Sequence, residues 1–460
     1  MPSSPPNPAR PDAVTYARRV GLFSGVMMVI GGIIGSGIFR NPQIVAQRVH
    51  TPGLTLGVWV LGGCVALIGA FVYGELGARF PKAGGQYVYL RDAFGPLTAF
   101  LYAWALLLMI ATGAIAAVAV TFADYTLALA GLDAGARMPL AVGAIVLLSA
   151  VNYLGVKPGA VTQNIFTILK LTALAALIAT GAAAAAHLLP DAALLPADTT
   201  SAPASPLLAI GAALVPVLFS YGGWQQTNFI AEEIIAPERN LPRALVIGVV
   251  GVVVVYLLAN LTYLYGLGAA GLAASDAPAA DTMTRLVGPA GRTVISAGIA
   301  VSTFGFLNLV ILVTPRVIQA MAADGLFFPQ LGRLHPRYRT PAAAIVFQGI
   351  WAIVLLQSGR YGDLLDYVVF GDWIFFALSA ATLFVYRARE RRGEPAGRPA
   401  FRAPGHPVLP LLFIAAALYV VIGSVVSNPG NAMRGVVLLA AGIPVYLFWA
   451  RRSRSGSAAA

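Results

Sequence analysis

The feature that most constrains this chain is a series of twelve apolar stretches, each close to the ~20 residues that a helix needs to cross about 30 Å of hydrocarbon. They fall at residues 20–47, 54–78, 96–129, 139–155, 162–186, 206–235, 243–268, 291–322, 341–357, 364–387, 408–427 and 433–450. Over the 460 residues, 58% are hydrophobic and only 10% are charged. Soluble domains carry roughly 25% charged residues, so the solvent these stretches are built for is lipid. The expected fold class is an all-α membrane protein with twelve transmembrane helices. The third, sixth and eighth stretches are long enough to tilt or break.

Lys and Arg set the orientation, because they accumulate on the cytoplasmic side. With both termini inside, 22 of the 30 positive residues fall on that side, from Arg10, Arg18 and Arg19 to Arg451, Arg452 and Arg454. Seven fall outside (Arg40, Arg48, Arg137, Arg285, Arg292, Arg360 and Arg434), and Lys170 lies within a span. The net charge of +12 is spread over several short loops, so it reports topology and not nucleic-acid binding. Residues 1–19 are Pro-rich and polar, do not resemble a secretory signal, and read as a disordered cytoplasmic tail. Residues 389–407 form a basic cytoplasmic loop, and 451–460 a second tail. The single cysteine, Cys64, excludes an internal disulfide.

Glycine interrupts two of the apolar stretches. The first reads Gly31-Gly32-Ile33-Ile34-Gly35-Ser36-Gly37-Ile38-Phe39 and the sixth Phe219-Ser220-Tyr221-Gly222-Gly223-Trp224. Glycine costs about 1 kcal/mol against alanine inside a helix. Unwound backbone at membrane depth persists only where it is buried in protein or lines a cavity. At such a break one half-helix presents free N–H groups and a positive dipole end, and the other presents free carbonyls. An α-amino acid carries a carboxylate and an ammonium, which need those two partners. The N–H groups around Ser36 and Gly37 suit the carboxylate; carbonyls near Ile33, Phe219 and Gly222 suit the ammonium. Close helix packing is the alternative use of such glycines. Five spans separate the breaks, so the two repeats run in opposite directions, as inverted-repeat transporters require.

The segment Gly32 to Phe39 resembles the first-helix motif of the amino acid, polyamine and organocation superfamily. Three more stretches agree: Tyr73-Gly74-Glu75-Leu76-Gly77 through Pro81 to Tyr87, Phe219 through Glu233 with Asn240-Leu241-Pro242-Arg243, and Met321-Ala322-Ala323-Asp324-Gly325-Leu326. The resemblance covers nearly the whole chain and is strongest to the bacterial L-amino acid transporter group. It implies a LeuT-type core of two inverted five-helix repeats over residues 20–388, with broken helices 1 and 6 and accessory helices 11 and 12 over 408–450. It implies substrate contacts at Ile33, Gly35, Ser36, Gly37, Phe219, Ser220, Gly222 and Asn308. Phe219 takes the position of the aromatic that closes over the substrate, and Trp224 and Gln225 follow in the second half-helix.

Intramembrane charge is costly and usually functional. Lys170 stands about eight residues, or roughly 12 Å, into the fifth span, too deep to snorkel. In similar transporters a fifth-helix lysine lies against the broken first helix where sodium-coupled relatives hold a cation, so the resemblance implies sodium independence. Lys170 would brace unwound carbonyls or carry a proton, or serve as a structural strut. Asp372 stands at the corresponding depth of the tenth span, where related transporters place the distal wall of the pocket, followed here by Trp373. It attracts a cationic group or takes part in gating, or is a helix-start residue in contact with water. Glu75, with Arg79 and Lys82, is assigned to a cytoplasmic gate; a surface ion pair is the alternative, and the same holds for Glu232 and Glu233.

The four histidines, His50, His187, His335 and His406, show no metal-ligand spacing, and no phosphate-cradling loop occurs. No cofactor, metal or enzymatic activity is expected. The expected function is sodium-independent permeation of L-amino acids, neutral by default, as an exchanger or proton symporter in a bacterial inner membrane. A cationic amino acid or polyamine antiporter is the alternative, ahead of a channel or a membrane-embedded enzyme. The expected partners are the amino acid, the lipid bilayer and protons, with no disulfide-linked subunit, because no cysteine lies near Leu132 to Arg137.

Overall fold

The computed structural model describes residues 14–187, 203–357, 361–427 and 429–458. Arg10, Arg360 and the disorder assigned to residues 1–13 lie outside them, as do residues 459–460 of the expected tail. The described residues are helical and contain no strand; an isolated parallel bridge joins Val20 to Ile234.

Helices occupy all twelve apolar stretches. The first is split into α1 (Leu22–Ile33) and α2 (Gly37–Val49), followed by α3 (Pro52–Arg79), a short α4 (Gln86–Phe94) and α5 (Pro96–Ala105). One π-helical turn, Leu106–Ile110, joins α5 to α6 (Ala111–Ala130). Next come α7 (Arg137–Tyr153), α8 (Val156–Ala185) and α9 (Pro206–Ser220), then a 3-10 segment Trp224–Glu233 and α10 (Pro237–Ala274). The remainder is α11 (Pro278–Val287), α12 (Pro289–Val313), α13 (Pro315–Ala323), α14 (Ala342–Gln357), α15 (Tyr361–Arg391), α16 (Val408–Ser427) and α17 (Pro429–Ala458). Proline at the first helical position starts many of them, where its missing N–H has no intrahelical acceptor to lose.

Nine helices among the described residues are long and apolar enough to cross a membrane, and ten if α1 and α2, bent by 43° at their break, form one span. The chain is thus a multi-pass membrane protein. Of the other expected spans, α14 is an apolar helix of 16 residues, and α15 is not among the ten.

Several boundaries differ from the sequence reading. The eighth stretch divides at Thr314, since Pro315 cannot continue the hydrogen-bond ladder and opens a new helix. The second half of the sixth stretch is a 3-10 segment with a kink at Ile230, where a half-helix was expected. The amphipathic α11 lay outside the predicted spans, being too short and polar to register as one. Both tails are more ordered than expected. The N–H groups of Arg19 and Val20 donate to the Glu233 carbonyl at 2.9 and 3.0 Å, and Tyr16 is buried, so residues 14–20 are anchored. At the other end α17 continues through Ala458.

Small residues let the helices approach closely. The helix crossing that matters most is that of the two breaks: a Cβ on Gly32 would stand 2.8 Å from the Gly223 carbonyl oxygen, and one on Gly223 would stand 2.2 Å from the Gly32 oxygen. Gly223 also holds φ +103°, a conformation that L side chains rarely adopt. The breaks meet backbone to backbone because neither carries a side chain there.

Candidate functional site

The crossing of the breaks forms the floor of a cavity of about 1040 Å³, counting its open mouth. Ile33, Gly35, Ser36 and Gly37 of the first break line it with Phe219, Ser220 and Gly222 of the sixth, so seven of the eight residues expected to touch substrate share one space. The remaining wall comes from the π turn and α6 (Leu106, Ile110, Ala111, Ala114, Val118), from α12 and its end (Thr303, Phe306, Val310, Thr314), and from α15 (Asp372, Trp373, Phe376). Gln225, Gln226 and Phe229 of the 3-10 segment complete it.

The eighth residue, Asn308, is not among the lining residues. It is buried in a polar cluster behind the wall, where its amide donates to Gln163 Oε1 at 3.0 Å and to the Gly159 carbonyl at 3.2 Å, while Asn152 donates to its Oδ1 at 3.0 Å. A helical repeat of 3.6 residues puts Asn308 and the lining residue Phe306 about 200° apart on α12, which is why one faces the cavity and the other α8. Trp224 is likewise displaced from the lining: its ring stands edge-on to Tyr73 at 4.9 Å and stacks with Phe376 at 5.9 Å, and Phe376 itself faces the cavity. Phe219 keeps 36% of its surface exposed, a large aromatic with free space in front of it at the break.

The unwound carbonyls have identifiable partners. The Lys170 ammonium, buried on α8, donates to the Gly31 carbonyl at 3.1 Å and to that of Ile34 at 2.7 Å. Ser302 Oγ also donates to Ile34 at 3.2 Å. The Tyr256 hydroxyl on α10 lies 3.0 Å from the Ile33 carbonyl and 3.2 Å from that of Ser220, tying the two breaks through one group. Nothing in the sequence singled out Tyr256, one of three tyrosines in an apolar helix. Asn41 on α2 donates to Ser220 Oγ at 2.7 Å and to the Pro216 carbonyl at 2.9 Å, and Arg48 reaches the Ala212 carbonyl, which Pro216 has no N–H to engage. The halves α2 and α9 are therefore joined as one body on one side of the cavity.

The basic end of the bundle is closed by ion pairs; the carboxylates of Glu75 and Glu233 are buried, which corrects the surface alternative for them, whereas the Arg91–Asp324 pair is partly exposed. Glu75 accepts from Arg79 and Arg387 and from the backbone N–H of Ala403 at 2.7 Å. Glu233 accepts from Arg316 at 2.7 and 3.2 Å, with both side chains fully buried. The Tyr87 hydroxyl donates to Asp324 at 2.7 Å, and Arg91 pairs with the same carboxylate. Among the described residues no group of His, Cys, Asp and Glu is arranged to hold a metal ion.

The amino acid permease family model matches residues 20–448. The chain is 33% identical over 428 residues to the human b(0,+)-type amino acid transporter 1, covering 91% of this chain and 85% of that protein. It is 31% identical over 441 residues to the serine/threonine exchanger SteT of Bacillus subtilis, covering 95% of this chain and 98% of that one. It is 32% identical over 454 residues to the rabbit large neutral amino acids transporter small subunit 2, covering 96% of this chain and 82% of its relative. These relatives are transporters, and the family model spans both breaks and the wall they share, so the chain belongs to the amino acid permease family.

Proposed function

We propose that this protein carries L-amino acids across a bacterial inner membrane by alternating access, without sodium, as an exchanger or a proton symporter. The observation that carries the reading is the crossing of two helix breaks on one cavity, with backbone N–H groups at the start of α2 that no side chain caps and carbonyls at the ends of α1 and α9 that lie outside the regular helical ladder. Those are complementary partners for a carboxylate and an ammonium held about 2.5 Å apart on one carbon skeleton. Phe219 is the thin gate over the substrate. Twelve spans in two inverted five-helix repeats, with α16 and α17 outside the repeat, account for two breaks of opposite sense, and the 22 positive residues on one side place both termini in the cytoplasm.

Sodium independence rests on Lys170. A fixed ammonium on the Gly31 and Ile34 carbonyls occupies the place a coupling cation would otherwise take between α1 and α8. The ion pairs of Glu75, Glu233 and Asp324 form the inner gate, which must separate for release to the cytoplasm. Cys64, the only cysteine, is exposed on α3 and offers no link to a partner on the loop after α6.

The test is uptake of radiolabelled L-amino acids into proteoliposomes, with and without unlabelled amino acid inside, with and without a pH gradient, in sodium and in choline medium. Saturable uptake that is equal in sodium and choline is expected. Uptake requiring internal amino acid identifies an exchanger, and accumulation on the pH gradient alone identifies a symporter. No saturable uptake of any amino acid by folded protein would refute the reading.

A further inference from the structure

Asp372 is the one charged side chain lining the cavity among the described residues. Asp372 is half-buried, and the fully buried carboxylates of the bundle are paired: Glu75 with two arginines, Glu233 with one. Asp372 has neither a cation nor a hydrogen-bond donor among the described residues. Tyr73 and Tyr102 lie within electrostatic reach but do not bond to it: Tyr102 donates to Gln86 Oε1 at 2.9 Å, and the Tyr73 oxygen accepts from the Gln86 amide at 2.8 Å. Lys170, the cation nearest in depth, is held on the carbonyls of the first break.

A second acceptor shares this cavity. The Oε1 atom of Gln226 is buried and receives no hydrogen bond, although Gln226 lines the same space. A carboxylate and an amide oxygen left without donors in the wall of a cavity are costly, and a ligand that brings donors removes the cost. The wall of the same cavity carries apolar surface from Leu106, Ile110, Trp373 and Phe376, which matches a methylene stem.

Resting on the amino acid reading above, we propose that Asp372 and Gln226 receive a cationic group at the end of the substrate's side chain, so that the carried class is L-amino acids with an aliphatic stem ending in ammonium or guanidinium. The neutral default drawn from the sequence considered spans 1, 3, 6 and 8, none of which supplies a carboxylate to the cavity. The tenth span supplies it.

The discriminating pair is L-lysine and L-norleucine, which share a stem and differ in the terminal ammonium. In proteoliposomes the wild-type chain is expected to favour lysine over norleucine by at least about tenfold in kcat/KM, since a site built around a charged group rejects an analogue that leaves it unpaired. Asp372→Asn is expected to bring that ratio to about one, and Asp372→Glu to restore most of it. If Asp372→Asn is not monodisperse in detergent, Gln226→Leu is read in its place and is expected to lower the same ratio. Three results overturn the proposal: a wild-type preference for norleucine, an unchanged ratio in the variant, or loss of pH-driven norleucine uptake in Asp372→Asn with the ratio intact, which would make Asp372 a proton carrier. Failure of both substrates and of every other amino acid would instead refute the transport reading on which the proposal rests.

Discussion

An alanine at position 223 would place its Cβ 2.2 Å from the carbonyl oxygen of Gly32, on a backbone with φ +103°. Backbone and not a flexible side chain is what it meets, so neither partner can yield cheaply. Gly223→Ala is expected to destabilise the fold by more than about 1–3 kcal/mol, seen as a lowered thermal midpoint in detergent together with loss of transport. Lys170→Met is a different test, since it preserves the bulk of the stem and removes two hydrogen bonds to the carbonyls of Gly31 and Ile34. Charge-assisted hydrogen bonds contribute about 1.5–3 kcal/mol each. The expected result is protein that still folds, with initial uptake rates at least about tenfold lower, because a 1.4 kcal/mol shift in the geometry of the break already corresponds to that factor. An unchanged rate would reduce Lys170 to a packing residue.

At the scale of the elements, the 3-10 segment after the sixth break and α13 are held together by the Glu233–Arg316 pair. Removing one member of a buried pair costs about 3–5 kcal/mol, because the other charge is left without compensation. Glu233→Gln is therefore expected to open the basic end. In a Cys64→Ser background, a cysteine substituted at the cavity-lining Thr314 should react with a membrane-impermeant maleimide from the cytoplasmic side faster in Glu233→Gln than without it. Equal labelling would exclude this pair from the gate. The sixth break also leans on a helix that the sequence reading set apart as accessory: Phe413 of α16 is fully buried and stands 6.1 Å from Trp224. Phe413→Ala is expected to cost about 3–5 kcal/mol and to loosen the break, measurable as a lower thermal midpoint with a raised KM.

These elements show what was legible and what was not. Glycine clusters expose a broken helix because backbone freedom is a property of the residue itself, so both breaks could be read directly, and the seven expected site residues within them line one cavity. Asn308 could not be placed, since its identity says that it will be hydrogen-bonded but not on which face of α12. The buried state of Glu75 was equally hidden: its partner Arg387 lies 312 positions away, and pairing at that separation exists only after folding. The same holds for Tyr256, whose role depends on two carbonyls from two other helices.

For the whole molecule, the distribution of positive charge carries the orientation. In the Cys64→Ser background, Arg333→Cys is expected to react with an impermeant maleimide only from the cytoplasmic face, and Leu132→Cys only from the outer face. The reverse pattern would invert the topology and, with it, the assignment of the ion pairs to an inner gate. The meeting of Gly32 and Gly223 has a consequence of its own for such a machine. Two backbone segments that touch without side chains leave no position at the contact through which selection can tune the grip on the common part of the cargo. Whatever diversity of cargo this architecture supports has to be cut into the surrounding wall, as interchangeable jaws are fitted to a fixed chuck. Leu106, Ala114 and Phe306 are where a new specificity should be engineered, with the chuck left untouched.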